Sequence, residues 1–192
     1  MSDVIWHVTM SLDGFITGPD DAMDWVVKQW SDNGGRVQDI RVEKSSVAEE
    51  VMQSAGAILA GRQWYDIATQ RFNGVEGIYG GAWSGPVFVL THHPPRGEHH
   101  PAIQFVSGEV SDAIRTARGA AQGNNVVLFR ANVPQQCLQA GLMDEIVIHV
   151  APVLLGDGTH LYEMPGGHPV GLRRTVTAES GQVTDLCFRV TN

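Results

Sequence analysis

Ile146-Val-Ile-His-Val-Ala151 limits the fold of this chain more than any other stretch. Apart from His149 it is apolar on both faces, so it needs cover on both sides, as a central strand in a helix-flanked sheet has. The residues around it agree. A short helix beginning at Asn132 or Val133 stops at Gly141, and the strand runs out into Pro152-Val-Leu-Leu-Gly-Asp-Gly158, a loop where a ligand can sit. Pro134 favours Val133 as the last non-helical residue, whereas Asn132 with Gln135 imitates a capping box.

Further strands are expected at Val4–Met10, Ala57–Ala60, Pro86–Thr91 and Asn125–Phe129. In the first, Val4, Trp6, Val8 and Met10 share one face, and Ile5, His7 and Thr9 the other. Helices are expected from about Val37 to Ala55, on the stripe Val47, Val51 and Ala55, and after Ser107, where Val110, Ala113, Ile114 and Ala117 share a face. Thr69–Gly85, with five glycines, has no clear periodicity and reads as an unusually long loop. Leu172–Ala178 and Val183–Val190 alternate as a closing antiparallel hairpin around Ser180-Gly181. Alternation of strand and helix makes an α/β sheet with helices on its faces, and ligands in such sheets bind outside the carboxyl ends of the parallel strands. Those ends lie at Gly61-Arg62, Thr91-His92, Phe129-Arg130 and 152–158.

The 192 residues suit a single domain, 1–192, with a sizeable core. A net charge of −8 argues against non-specific binding to nucleic acid or anionic membranes. It leaves room for an anionic small molecule, which a few arginines and backbone N–H groups can hold. With no signal-peptide-like start, no apolar run of membrane-spanning length, and Cys137 and Cys187 far apart, a soluble cytoplasmic protein with reduced thiols is expected.

Several residues carry candidate chemistry. Asp13, in Ser11-Leu-Asp-Gly14, is either a turn residue or a carboxylate that orients or protonates a ligand nitrogen. Asp24-Trp25 is either core and turn, or a stacking ring beside a carboxylate suited to a flat heterocycle. Gly61-Arg62 at a strand end is either a turn or an anion site. Arg130, the single positive charge between Arg118 and Arg173, stands at another strand–helix junction. Gly156-Asp-Gly158 alone is a weak signal. The histidines of His92–Pro101 are separated by prolines and imply no tetrahedral set, so no metal is expected. His7 and His149 read as satisfied strand histidines.

Taken together, Met10-Ser-Leu-Asp-Gly-Phe-Ile16, Met23-Asp-Trp25, Gly61-Arg-Gln-Trp-Tyr-Asp66 and Val87-Phe-Val-Leu90 have the pattern of one family, as do Ala140-Gly-Leu-Met-Asp-Glu-Ile146 and Pro152–Tyr162. The chain resembles the dihydrofolate reductase-like superfamily, and within it the group homologous to the C-terminal reductase domain of the bifunctional riboflavin biosynthesis protein. The resemblance implies a three-layer αβα mixed sheet with the C-terminal hairpin, a homodimer, and NADPH across the strand ends. It implies hydride transfer to a pyrimidine or pterin-like substrate, in the riboflavin branch a ribosylaminouracil phosphate. Gly61 and Arg62 would then meet the cofactor phosphates, Thr91 and His92 its adenosine end, with Arg130 and Gly158 also at the cofactor. Asp13 and Asp24 would be catalytic, and Trp25, Leu155 and Gly156 would face the substrate.

The chain departs from the family at Phe129-Arg130, which occupy the positions of a Gly-Gly pair. Side chains there are expected to fill space the pyrophosphate needs and to lose any glycine-only backbone angle, with Arg130 compensating by charge. Without an arginine after Thr91, NADH stays open beside NADPH. The alternative is a non-catalytic small-molecule-binding protein of the same fold that has lost the nicotinamide cofactor.

Overall fold

The computed structural model describes residues 2–27, 29–31, 37–39, 45–71 and 74–191. Its strands are β1 (Val4–Ser11), β2 (Phe15–Thr17), β3 (Gln29–Ser31), β4 (Val37–Asp39), β5 (Ala55–Gly61), β6 (Val87–Leu90), β7 (Ile103–Val106), β8 (Asn125–Leu128), β9 (Glu145–Ala151), β10 (Thr159–His160), β11 (Gly171–Ser180) and β12 (Val183–Thr191). The helices are α1 (Asp24–Val27), α2 (Ser46–Ser54), α3 (Arg62–Arg71), α4 (Val110–Ala120) and α5 (Asn132–Gln139). Eight strands form one mixed sheet in the order β11-β12-β9-β1-β8-β5-β6-β7. From β7 to β9 all neighbours are parallel; β12 runs antiparallel to β9 and closes the hairpin with β11.

The alternation in β1 decides which layer each side chain enters. Val4, Trp6 and Val8 pack with Leu128 and Ile146 under α4 and α5. Ile5 faces the other way, into a cluster with Ile58, Val127, Val147, and Val47 and Val51 of α2. Helices thus cover both faces, giving three layers, and β9 is central and buried as its two apolar faces require. Each large apolar side chain sealed in this way, such as Phe88 or Leu128, contributes roughly 1.5–3 kcal/mol.

Several elements differ from the sequence reading. Helix α2 is nine residues long rather than reaching back to Val37; residues 37–39 form β4, and 40–44 lie outside the described residues. Its N-cap is Ser45, whose hydroxyl accepts from the Ala48 N–H. Ser107 does not cap α4. Its Oγ donates to the Thr91 carbonyl, and Glu109 holds the N-cap position without a side-chain bond. Nor does Asn132 act as a capping box, since α5 starts there and Ala131 precedes it as cap. The expected long loop contains the last residues of α3 and a kinked 3-10 segment, Gly74–Gly81. No helix among the described residues is long and apolar enough to cross a membrane.

Candidate functional site

Two concavities adjoin just beyond the carboxyl end of β8. The first, a groove of about 460 Å³, is lined by Gly61, Arg62, Thr91, His92, Arg130 and Val133, among others. Five of the six residues expected at a cofactor therefore come together. The N-termini of α3 and α5 both open on this groove, through Arg62-Gln63-Trp64 and Asn132-Val133. Free helix N–H groups at two such ends favour an anion. A Cβ at Gly61 would meet only Val133 Cγ2, at 3.5 Å, so the protein's own packing leaves this stretch of groove floor open.

The second concavity, about 320 Å³, lies on the α2 side of the sheet. Ile16, Met23, Val26, Ile67 and Ile78 give it apolar walls, and His7, Tyr79 and His149 form a polar patch. Trp64, Phe129 and Arg130 line both spaces and form the boundary between them. The Phe129 ring packs between Trp64 and Tyr79, at centroid distances of 6.1 and 5.8 Å.

Arg130 does not lose the backbone angle a glycine would favour. It adopts φ +68° itself, in the left-handed region. What holds it there is its side chain, only 10% exposed, whose Nη1 donates to Asp21 Oδ1 at 2.9 Å. Asp21 also accepts from Gln63 Nε2 at 2.8 Å, so the turn after β2 is tied to this boundary. Burial lowers the Arg130 pKa from its ordinary value, against the opposing pull of Asp21. Its second terminal nitrogen, Nη2, is buried and has no hydrogen-bond partner among the described residues. An unsatisfied donor on a charged group is costly, and a ligand oxygen would satisfy it. Arg62 is committed differently: Nε donates to Asp66 at 2.8 Å, and Nη1 to the His93 carbonyl.

The remaining expected site residues sit elsewhere. Asp13 lines neither concavity. Its carboxylate accepts from Ser11 Oγ at 2.6 Å and from the backbone N–H groups of Leu155 and Gly156, at 3.1 and 2.8 Å. The Ser11 bond, with those from Gly156 and Leu155, holds its pKa down at about 2. A carboxylate that acidic is a loop anchor and a poor proton donor near neutrality. Leu155 and Gly156 are the anchored partners, and neither lines the two concavities. Trp25 is 4% exposed and its Nε1 donates to the Ala22 carbonyl at 3.1 Å, which is the core reading. The side chain of Asp24 lies outside the described residues. Gly158 is at φ +134°, where a Cβ would stand 1.9 Å from the Thr17 carbonyl, so it serves the β2–β10 contact rather than the groove.

Sequence reasoning missed the polar patch. Asp185 lies directly across from His149 in the β9–β12 pairing, and His7 lies on the neighbouring strand β1. The bonds run Tyr79 Oη to His7 Nδ1, His7 Nε2 to His149 Nε2, and His149 Nδ1 to Asp185 Oδ1, each 2.6 Å. Asp185 is fully buried, and Ser45 and Ser180 donate to its Oδ2 at 2.6 and 2.7 Å. Burial alone would raise its pKa, but the bonds from Ser45, His149 and Ser180 hold it below the ordinary value. Burial lowers both histidines, His7 well below its usual value, and the neighbouring His149 lowers His7 further. The one sequence signal was a histidine on the otherwise apolar central strand.

No protein-family model matches the sequence, and no curated protein does. Solved structures do match in fold. A putative riboflavin biosynthesis protein from Shewanella sp. PV-4 is 20% identical, with TM-score 0.75 and 99% of each chain covered. A Thermotoga maritima diaminohydroxyphosphoribosylaminopyrimidine deaminase/5-amino-6-(5-phosphoribosylamino)uracil reductase is 14% identical, with TM-score 0.64; 99% of this chain spans 57% of that one. Dihydrofolate reductase from Enterococcus faecalis, complexed with NADP(H), is 10% identical, with TM-score 0.60, covering 99% of this chain and 97% of the other. The chain has the dihydrofolate reductase-like fold.

Proposed function

We propose that this chain is a reductase that takes hydride from a reduced nicotinamide dinucleotide and passes it to a pyrimidine- or pterin-like small molecule. The observation that carries this reading is the buried Arg130 Nη2, without a partner among the described residues, at the boundary of an anion-favouring groove and an apolar cavity. The groove has the character a pyrophosphate needs: two helix N-termini, an open floor at Gly61, and a guanidinium with a free donor. Gly61, Arg130 and the first residues of α3 and α5 would hold the phosphates, with Thr91 and His92 beyond them. When bound, such a dinucleotide supplies hydride.

The chain's own residues supply the rest. The apolar walls of the cavity exclude water from a flat ring, and its polar patch fixes the ring's orientation. Asp13 acts at a distance by holding the Leu155–Gly156 loop. NADPH is the first candidate and NADH the second. A homodimer belongs to the same reading: among the described residues the outer edge of β11 has no pairing strand, and Leu172 and Val176 are exposed.

The test is loss of nicotinamide absorbance when the protein is mixed with NADPH and 5-amino-6-(5-phosphoribosylamino)uracil, or 7,8-dihydrofolate. Turnover with either supports the reading; none with NADPH or NADH opposes it. The Arg130–Asp21 ion pair favours a second reading, a small-molecule binder without cofactor, because it already supplies the guanidinium with one counter-charge. Binding of the uracil compound with no response to either nucleotide would select it.

A further inference from the structure

We infer that Tyr79, His7, His149 and Asp185 form a one-proton relay that opens on the apolar cavity and switches the Tyr79 hydroxyl between accepting from and donating to the molecule bound there. Its use in catalysis rests on the reductase reading above; its existence does not.

With both rings neutral and Asp185 ionised, the bonding partners set the direction of every proton. Asp185, ionised and buried, can only accept, so His149 carries its proton on Nδ1. Two ring nitrogens 2.6 Å apart need one proton between them, since two lone pairs or two N–H groups would repel. With both rings neutral, His149 Nε2 must accept and His7 Nε2 must donate. His7 Nδ1 is then a lone pair, and the Tyr79 hydroxyl donates to it. All three bonds point toward Asp185, which leaves the Tyr79 oxygen to accept from the cavity.

One added proton reverses the outer two bonds. His149 becomes doubly protonated, His7 moves its proton to Nδ1, and the Tyr79 hydroxyl turns outward to donate. Delivery restores the starting arrangement. A bound reduced dinucleotide would supply hydride to a substrate C=N or C=O carbon; the nitrogen or oxygen that receives the π pair would take the Tyr79 proton. The His7 Nδ1 proton moves to Tyr79, and the His149 Nε2 proton moves to His7. One hydride and one proton are added to substrate, and the relay ends with both rings neutral and Asp185 ionised. Tyr79 is the catalytic residue in this step; His7, His149 and Asp185 act through it.

Independent features of the fold agree. Tyr79 sits at φ +50°, a left-handed conformation that costs an aromatic residue about 1–2 kcal/mol and here directs its hydroxyl at His7. Ser45 before α2 and Ser180 of β11 donate to Asp185, and burial keeps the Cys187 thiol of β12 protonated, its pKa raised to about 11. Among the described residues the charged group on the cavity wall is Arg130, with its partner Asp21. Loading takes up one proton, so delivery weakens as pH rises, and a cation on the wall disfavours the added charge.

Two measurements on the full chain test this. Histidine side-chain nitrogen NMR of the wild type should find His149 protonated on Nδ1 and His7 on Nε2 at alkaline pH. On acidification a single proton should enter the pair, with His7 switching to Nδ1 at the midpoint where His149 becomes doubly protonated. His7 found on Nδ1 at alkaline pH, or two protons entering at separate midpoints, overturns the relay. The second measurement is kcat against pH with NADPH and 5-amino-6-(5-phosphoribosylamino)uracil. Tyr79→Phe should lower kcat at least about tenfold with unchanged nucleotide affinity, and His149→Gln should abolish the alkaline fall in rate. Unchanged kcat and pH profile in Tyr79→Phe overturn the catalytic step. If wild type does not oxidise NADPH, the reductase reading fails, and the NMR titration still decides the relay.

Discussion

Replacing Arg130 by glycine separates a phosphate ligand from an obstruction. If its free Nη2 donates to a phosphate oxygen, the substitution removes one charge-assisted hydrogen bond, about 1.5–3 kcal/mol. That is a roughly 10- to 150-fold rise in Kd for NADPH. Folding stability should change far less. Glycine relieves the left-handed backbone at φ +68°, about 1–2 kcal/mol, and so offsets much of the lost contact with Asp21. Arg130→Lys keeps the charge but not the two-pronged geometry, and should fall between wild type and Arg130→Gly. Isothermal titration with NADPH, alongside urea unfolding of each variant, reads both quantities. Tighter NADPH binding by Arg130→Gly would mean that the side chain blocks the groove, and would refute its assignment as a phosphate ligand.

Other parts of the structure make their own predictions. Because the Asp13 pKa is depressed, its stabilisation is present above the unfolded carboxyl value and is lost as pH falls toward about 2. Amide exchange at Leu155 and Gly156 should speed up in that window, and Asp13→Asn should speed it at neutral pH; unchanged exchange would contradict the anchor. The lowered histidines work in the same direction: stability should fall as pH drops below about 6.5, and His7→Gln should flatten that slope in thermal melts. A slope equal to wild type would show that these rings are not neutral when buried. Gly158→Ala forces a Cβ into the Thr17 carbonyl and should cost more than about 2 kcal/mol in urea unfolding. A cost under about 0.5 kcal/mol would mean that the β2–β10 contact is not maintained in solution.

The sheet was legible because its central strands are nearly continuous apolar runs, and the alternation in β1 told the two helix layers apart. Short or polar elements were not. Ile103-Gln-Phe-Val106 follows a proline-rich loop and is only four residues long, so β7 gave no periodic signal. Arg62–Arg71 has a single buried residue, Ala68, too little for a stripe. The groove residues could be anticipated because strand ends are local features. The relay could not, since His7 and His149 are 142 positions apart and meet only once β1 is known to lie beside β9. Asp13 shows the opposite limit: its sequence setting fits a catalytic carboxylate, and only the loop N–H groups bonded to it reveal an anchor.

The central claim is that the groove beside Arg130 takes a reduced nicotinamide dinucleotide, and thermal unfolding with and without NADPH tests it most directly. At about 100 times its Kd a ligand adds about 2.7 kcal/mol, which for a chain of this size raises Tm by about 5–10 °C. A rise of that size in wild type, reduced in Arg130→Gly, is the predicted result. An unchanged Tm with both NADPH and NADH at millimolar concentration would contradict the account.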